Sequence, residues 1–367
     1  MENMVQEKIA SKHNIHFTTH RLGLNCGSAP IRDLLEFYGY RFTEPMCFGM
    51  GSGLNFVYHH GGPEILDKHY RAPITIITGR TSAPYVELCS VLGVKINVKR
   101  THDQKRAWEE VKELVAQNIP VACDIDVEML QNNNPVTERY GWHMGGHKTI
   151  IIGYDETANT VELIENMIAD PITVSLDLFT TMRSSADLYP SENEWFYIDP
   201  PDKLQDLEVA LKMAMIKNVH ALKHPAFTVK GPQGKVDAIG MPGLETWYRE
   251  MTKWPEILEE DSLIASILTA FLQNNISGGG MYRKMYARFL READDCLNVP
   301  DLVDASNIYR KLANDWEELI AQMMQCIESK TYDIFKDPQF VKLVDTIYTQ
   351  EKQAFSILDG VTRSWLR

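Results

Sequence analysis

The hydrophobic pattern changes period at Pro200-Pro201, and that change limits the folds open to this chain more than any other feature. Before the two prolines, short apolar runs follow one another. Residues 73–78 (PITIIT), 94–98 (VKINV), 120–125 (PVACDI), 147–154 (HKTIIIGY), 160–164 (TVELI) and 194–198 (EWFYI) read as strands. Helical spacing interrupts them at 103–117, at 176–183, and in a helix that opens at Ala29-Pro30-Ile31 and stops at Gly39. Strands in such close succession leave little room for βαβ crossovers, so a largely antiparallel sheet is expected. After the prolines, 202–223 and the stretches around Leu244, Ser262, Met281, Val303 and Pro338 all carry the helical period. The expected class is α+β: a first domain over 1–200 and a mainly helical second domain over 201–367, a division that 367 residues allow.

Charge and cysteine usage narrow the function classes. A formal charge of −13 opposes a nucleic-acid backbone or an anionic membrane as the main partner, and the densest basic runs, 95–106 and 283–291, are short and interrupted. No apolar stretch approaches the ~20 residues that span a bilayer, and the opening MENMVQEKIASKHN lacks the apolar core of a signal peptide, so a cytoplasmic location is expected. The six cysteines lie far apart with no CxxC pair, which suits neither a disulfide framework nor a zinc site. Most are expected to be small core residues.

Cys26 stands apart, because it immediately precedes the helix that starts near Ala29. The positive end of a helix dipole and its free N–H groups favour a thiolate, and the same groups can hold an oxyanion. Gly27 removes bulk beside the thiol, and His20 and Asn25 are polar neighbours suited to supporting an oxyanion. A nucleophilic thiol needs a base, and His147 opens an apolar strand directly after Gly145-Gly146. An orienting third group is expected on the following strand, with Glu165 and Asn166 the best placed and Asp155 and Asp170 weaker candidates. Spacing does not decide among them. His143 and His147 are four apart, but Met144-Gly145-Gly146 supplies no carboxylate and disfavours a helix, so no metal is expected. Phe48-Gly49-Met50-Gly51-Ser52-Gly53 lacks both the third spaced glycine of a dinucleotide fingerprint and the lysine of a P-loop. It reads as a flexible or close-packed loop, with Gly49, Gly51, Ser52 and Gly53 as site-lining candidates. Gly278-Gly279-Gly280 before Arg283 is a second glycine loop at a helix start, a candidate anion site or a mere interhelical turn.

Residues 25–39 (NCGSAPIRDLLEFYG), followed by 44–53 (EPMCFGMGSG), resemble the N-terminal domain of the butirosin-biosynthesis protein H family, papain-like cysteine acyltransferases. The strand HKTIIIGYD is similar to that family's catalytic-histidine strand, and SGGGMYRKMYARFL (277–290) resembles a glycine-Arg motif of its helical C-terminal domain. The resemblance implies a papain-like domain over 1–200 and a helical domain over 201–367 that covers the active site. It also implies amide-forming acyl transfer, with Cys26 as nucleophile, His147 as base and Glu165 where the family usually has Asp, Asn166 being the papain-like alternative. The implied donor is an acyl group carried as a thioester, on the phosphopantetheine of an acyl carrier protein or on a similar thiol. The implied acceptor is a small-molecule amine, and no further cofactor is implied. Arg283 and Lys284 are expected to offer a basic patch to an acidic carrier. Two other readings remain open: a cysteine peptidase or amidase on the same scaffold, and a binding protein without activity. The donor, the acceptor and the oligomeric state are not legible.

Overall fold

The computed structural model describes residues 10–60, 74–81, 83–133, 145–186, 190–224, 228–231 and 234–367. They group into two compact units: Met1–Phe42 with Val94–Pro201, and Thr43–Gly93 with Asp202–Arg367. The boundary anticipated at Pro200-Pro201 coincides with one passage between units. The expectation of two contiguous domains is corrected, because residues 43–93 pack with the C-terminal half. Their glycine-rich helix and hairpin find their apolar partners there.

The first unit contains, in chain order, β1 (Lys12–Asn14), α1 (Ala29–Phe37), β2 (Lys95–Lys99), α2 (Gln104–Ala116), β3 (Val121–Ile125), α3 (Val127–Asn133), β4 (His147–Asp155), β5 (Thr160–Ile164), β6 (Ile172–Ser175), α4 (Leu176–Arg183) and β7 (Trp195–Asp199). Among the described residues its sheet has seven strands in the order β2-β7-β3-β4-β5-β6, with β1 also paired to β4, and every pairing there is antiparallel. Strands β3 and β4 lie inside the sheet and are buried along almost their whole length, which is why they read as unbroken apolar runs rather than alternating ones. The edge strands β1 and β6 escape sequence reading, since one is short and polar and the other is four residues long. Asp103 caps α2 by accepting from Arg106 N at 3.0 Å, and the helix buries Ala107, Trp108, Val111 and Val115. The Trp108 ring meets Tyr154 of β4 and Phe179 of α4 edge-on, at 5.7 and 6.4 Å between centroids. α1 packs against β4, burying Ile31, Leu34 and Leu35, and Gly39 ends the segment at φ +91°.

The second unit is mainly helical. Among its described residues the longest helices are Pro300–Ser329 and Pro338–Trp365, and two antiparallel strand pairs are present, Leu54–His60 with Thr75–Arg80 and Thr228–Gly231 with Gly234–Asp237. The strand Leu54–His60 was not anticipated, because the glycines before it dominate the local pattern. Phe56, Trp247 and Trp316 form one aromatic cluster, with the two indoles 4.9 Å apart. Beside it, Glu250 accepts from Tyr58 and His60, both at 2.9 Å, and Trp254 donates to the Tyr58 hydroxyl. His60 is thus a buried structural group, whereas His69 lies outside the described residues. No helix among the described residues is long and apolar enough to cross a membrane.

Candidate active site

Asn25 builds the turn that carries Cys26. Its side-chain oxygen accepts from Gly27 N at 2.6 Å and Ser28 N at 3.1 Å, while its carbonyl accepts from Ser28 N and Ala29 N. Asn25 therefore does for α1 what a capping residue does, from three positions earlier in the chain than the N-cap Ser28, whose own side chain makes no capping bond. The thiol stands at the entry to the helix and is half-buried. Asn25 Oδ1 thus takes up the Gly27 and Ser28 amides at the entry to the helix. In the core, burial pushes the Cys123 thiol up to about 11 and the Cys89 thiol up to about 12. Cys47 and Cys326 are buried as well, whereas Cys296 is exposed.

His147 begins β4 opposite Ile125 of β3. Between β4 and β5, Ile150 pairs with Ile164, which sets Glu165 across from Thr149 and on the diagonal to His147 on one face of the sheet. The consequence is a hydrogen bond of 2.8 Å from His147 Nε2 to Glu165 Oε2, between side chains only 10% and 2% exposed. Cys26 hydrogen-bonds the same imidazole, and with Nε2 committed to Glu165 the ring nitrogen left for the thiol is Nδ1. Burial lowers the imidazole pKa, but the Glu165 charge and the hydrogen bonds with Cys26 and Glu165 outweigh it and hold His147 well above the ordinary histidine value. Such a ring readily carries the proton that leaves the thiol.

Asn166 serves a different end. Its side-chain nitrogen donates to Gly23 O at 3.0 Å, and its carbonyl accepts from Gly23 N at 2.7 Å. Two adjacent residues just after β5 thus divide the work, Glu165 holding the His147 imidazole and Asn166 fixing the segment before the thiol. Asp170 is exposed and Asp155 sits at the far end of β4 bound to Lys12, so neither orients His147. His143 lies outside the described residues.

The oxyanion role expected of His20 is corrected. Its Nδ1 meets Asp33 Oδ2 at 2.7 Å and its Nε2 donates to Ile168 O at 2.8 Å, so both ring nitrogens are spent. Burial opposes the charge, yet Asp33 and the Ile168 carbonyl raise its pKa. His20 instead ties the segment before Cys26 to α1 and to the loop after β5.

The glycine candidates belong to the packing of the second unit. A Cβ on Gly49 would come within 2.0 Å of Phe289, one on Gly51 within 2.3 Å of the Pro84 carbonyl, and one on Gly53 within 2.5 Å of the Phe48 carbonyl. The glycines are there because backbone and rings approach closely, so of the two readings, flexible or close-packed, the segment follows the close-packed one. Gly49→Ala is expected to destabilise the protein by about 2–3 kcal/mol through overpacking, read as a lower urea midpoint. Ser52 holds φ +50°, and its buried hydroxyl has no hydrogen-bond partner among the described residues.

Arg283 is likewise internal. It is 1% exposed, its Nε donates to Glu351 at 2.8 Å and its Nη1 to Met281 O at 2.7 Å, and its guanidinium stacks over Trp316. Lys284 is paired with Glu317 at 2.6 Å. The expected basic patch is therefore corrected: Arg283 spends its charge inside the unit.

Residues 25–166 match the family described as butirosin biosynthesis protein H, N-terminal, and residues 177–358 match a domain of unknown function, DUF4872. The first part of the chain is thus similar to the N-terminal domain of the butirosin biosynthesis protein H family, and the helical part that follows is similar to the second domain. The first match opens on Asn25 and closes on Asn166, so its two ends are the residues that hold the thiol segment, and Cys26, His147 and Glu165 lie between them. It also runs through residues 43–93, which pack in the other unit. No curated protein matches the chain.

Proposed function

We propose that this protein is a biosynthetic, cysteine-dependent acyltransferase of papain-like architecture that forms amides. The observation that carries the reading is the chain of hydrogen bonds from the Cys26 thiol through His147 to Glu165. His147 takes the thiol proton, and the Cys26 sulfur attacks the carbonyl of an acyl thioester. The bond to the donor sulfur breaks, the donor leaves as a thiol with the proton held by His147, and the acyl group remains on Cys26. An amine then attacks this thioester, His147 receives its proton, and the amide departs as the Cys26 thiol is restored. Glu165 stabilises the imidazolium in both halves. A thiolate entering a thioester exchanges like for like, and the amide product is the more stable, so the sequence runs downhill toward the amine. The carried acyl group fits delivery by the phosphopantetheine arm of an acyl carrier protein, a substrate rather than a resident cofactor. The family's biosynthetic name supports this class of chemistry over degradation.

The test is intact-protein mass after brief exposure to acyl-pantetheine or acyl-carrier thioesters, followed by amines. An adduct that requires Cys26 and is discharged faster by amine than by water is expected. Equal discharge in water alone would make the protein a hydrolase.

A further inference from the structure

Large apolar side chains that stand in solvent are few among the described residues of the first unit: Leu22 (60% exposed), Leu24 (47%), Val98 (43%) and Met167 (41%). Three of these four flank the reacting groups. Leu24 is two residues before Cys26, and Met167 is two residues after Glu165. The two segments are clipped together by the paired hydrogen bonds between Gly23 and Asn166, which set Leu22 and Leu24 on either side of the clip and Met167 next to it.

The leucine segment is held at successive residues. His20 is fixed by Asp33 and Ile168, the carbonyls of Arg21 and Leu22 accept from the buried Arg32, and Gly23 is fixed by Asn166. An anchored backbone that nonetheless presents two leucines to water is a surface built to be covered, since single exposed apolar residues are ordinary but a group of them beside a site is not. The occupant follows from position. A carbonyl bonded to the Cys26 sulfur starts its hydrocarbon chain beside the residues that flank the thiol.

We infer that Leu22, Leu24 and Met167 form an apolar rim that takes up the hydrocarbon part of the acyl group delivered to Cys26, and so set the preference for acyl chain length. This rests on the acyl-transfer reading above. A methylene taken half out of water contributes about a twofold gain, so the four methylenes that separate hexanoyl from acetyl give a preference on the order of tenfold.

Two measurements read it. The first is the rate of acylation of the wild-type protein by acetyl and hexanoyl N-acetylcysteamine thioesters, followed by mass. The second is equilibrium binding of the same two compounds to Cys26→Ala protein by calorimetry, which needs no chemistry. Both are expected to favour hexanoyl about tenfold. In a Leu22→Ser, Leu24→Ser, Met167→Ser variant the hexanoyl-to-acetyl ratio is expected to fall close to one, whereas Leu22→Met with Met167→Leu keeps it. A wild-type ratio near one, or a ratio that survives the serine changes, overturns the rim and leaves the acyl-enzyme reading intact. A binding preference without any adduct on the wild-type thiol has the opposite meaning: the rim stands and the acyl-transfer reading falls.

Discussion

His147→Ala is expected to slow acylation of Cys26 by about 10⁴- to 10⁶-fold, because the thiol loses both its base and the cation that stabilises its thiolate. Single-turnover acylation followed by mass isolates this step from amine transfer. Glu165→Gln is milder, on the order of 10²- to 10⁴-fold, since the amide still reaches Nε2 but no longer stabilises a charged ring. The two changes differ in their pH signature. Glu165 and Cys26 raise the His147 pKa against the pull of burial, so the imidazolium paired with the thiolate persists to higher pH than an ordinary histidine allows. Activity is lost on the alkaline side as pH rises through that elevated value. Removing the Glu165 charge lowers it, and the alkaline limb moves toward lower pH. The same linkage acts on stability: the contribution of His147 is complete below the unfolded value of 6.5 and disappears as pH rises through the folded one. An alkaline limb that stays in place in Glu165→Gln would contradict the assignment of Glu165 as the group that stabilises the imidazolium.

Arg283→Ala is expected to destabilise the second unit by about 3–5 kcal/mol. The substitution leaves Glu351 buried, 5% exposed, with its cation gone, and it removes the donor to Met281 O and the cover over Trp316. Urea denaturation gives the cost as a shift in midpoint at unchanged slope. A surface arginine that met a carrier would behave differently, changing donor affinity with stability within about 0.5 kcal/mol. The paired change Arg283→Met with Glu351→Leu is expected to recover much of the loss, because an isosteric apolar pair has no charge to leave stranded. A small effect of Arg283→Ala on the midpoint would place the side chain at the surface after all.

The parts of the site that were legible from sequence are those whose signals are local. Pro30 and Gly39 bracket α1 and so place Cys26 at its entry, and the glycines before His147 put that residue at the start of a strand. The third group was not legible, since Glu165 and Asn166 are neighbours and only the pairing of Ile150 with Ile164 decides which of them shares a face with His147. His20 and Arg283 were misread for a related reason. Each is a polar residue in a suggestive motif, but the partners that consume it, Ile168 and Glu351, lie 148 and 68 positions away. The glycines at 49, 51 and 53 carry no mark of whether a backbone gap admits a ligand or a phenylalanine ring.

The interleaving of the two units has a consequence for how the chain is made. Cys26 is translated long before the strands that bear His147 and Glu165, and between them comes a stretch of about fifty residues whose own packing partners are translated last. A ribosome-bound chain that has reached Pro201 holds every residue of the candidate site, yet it also carries Phe48, Phe56 and Tyr58, side chains that are buried only when the C-terminal helices exist. The nascent protein therefore passes through a stage with the candidate thiol in place and aromatic surface uncovered at once, and fragments that stop at Pro201 inherit that exposure permanently.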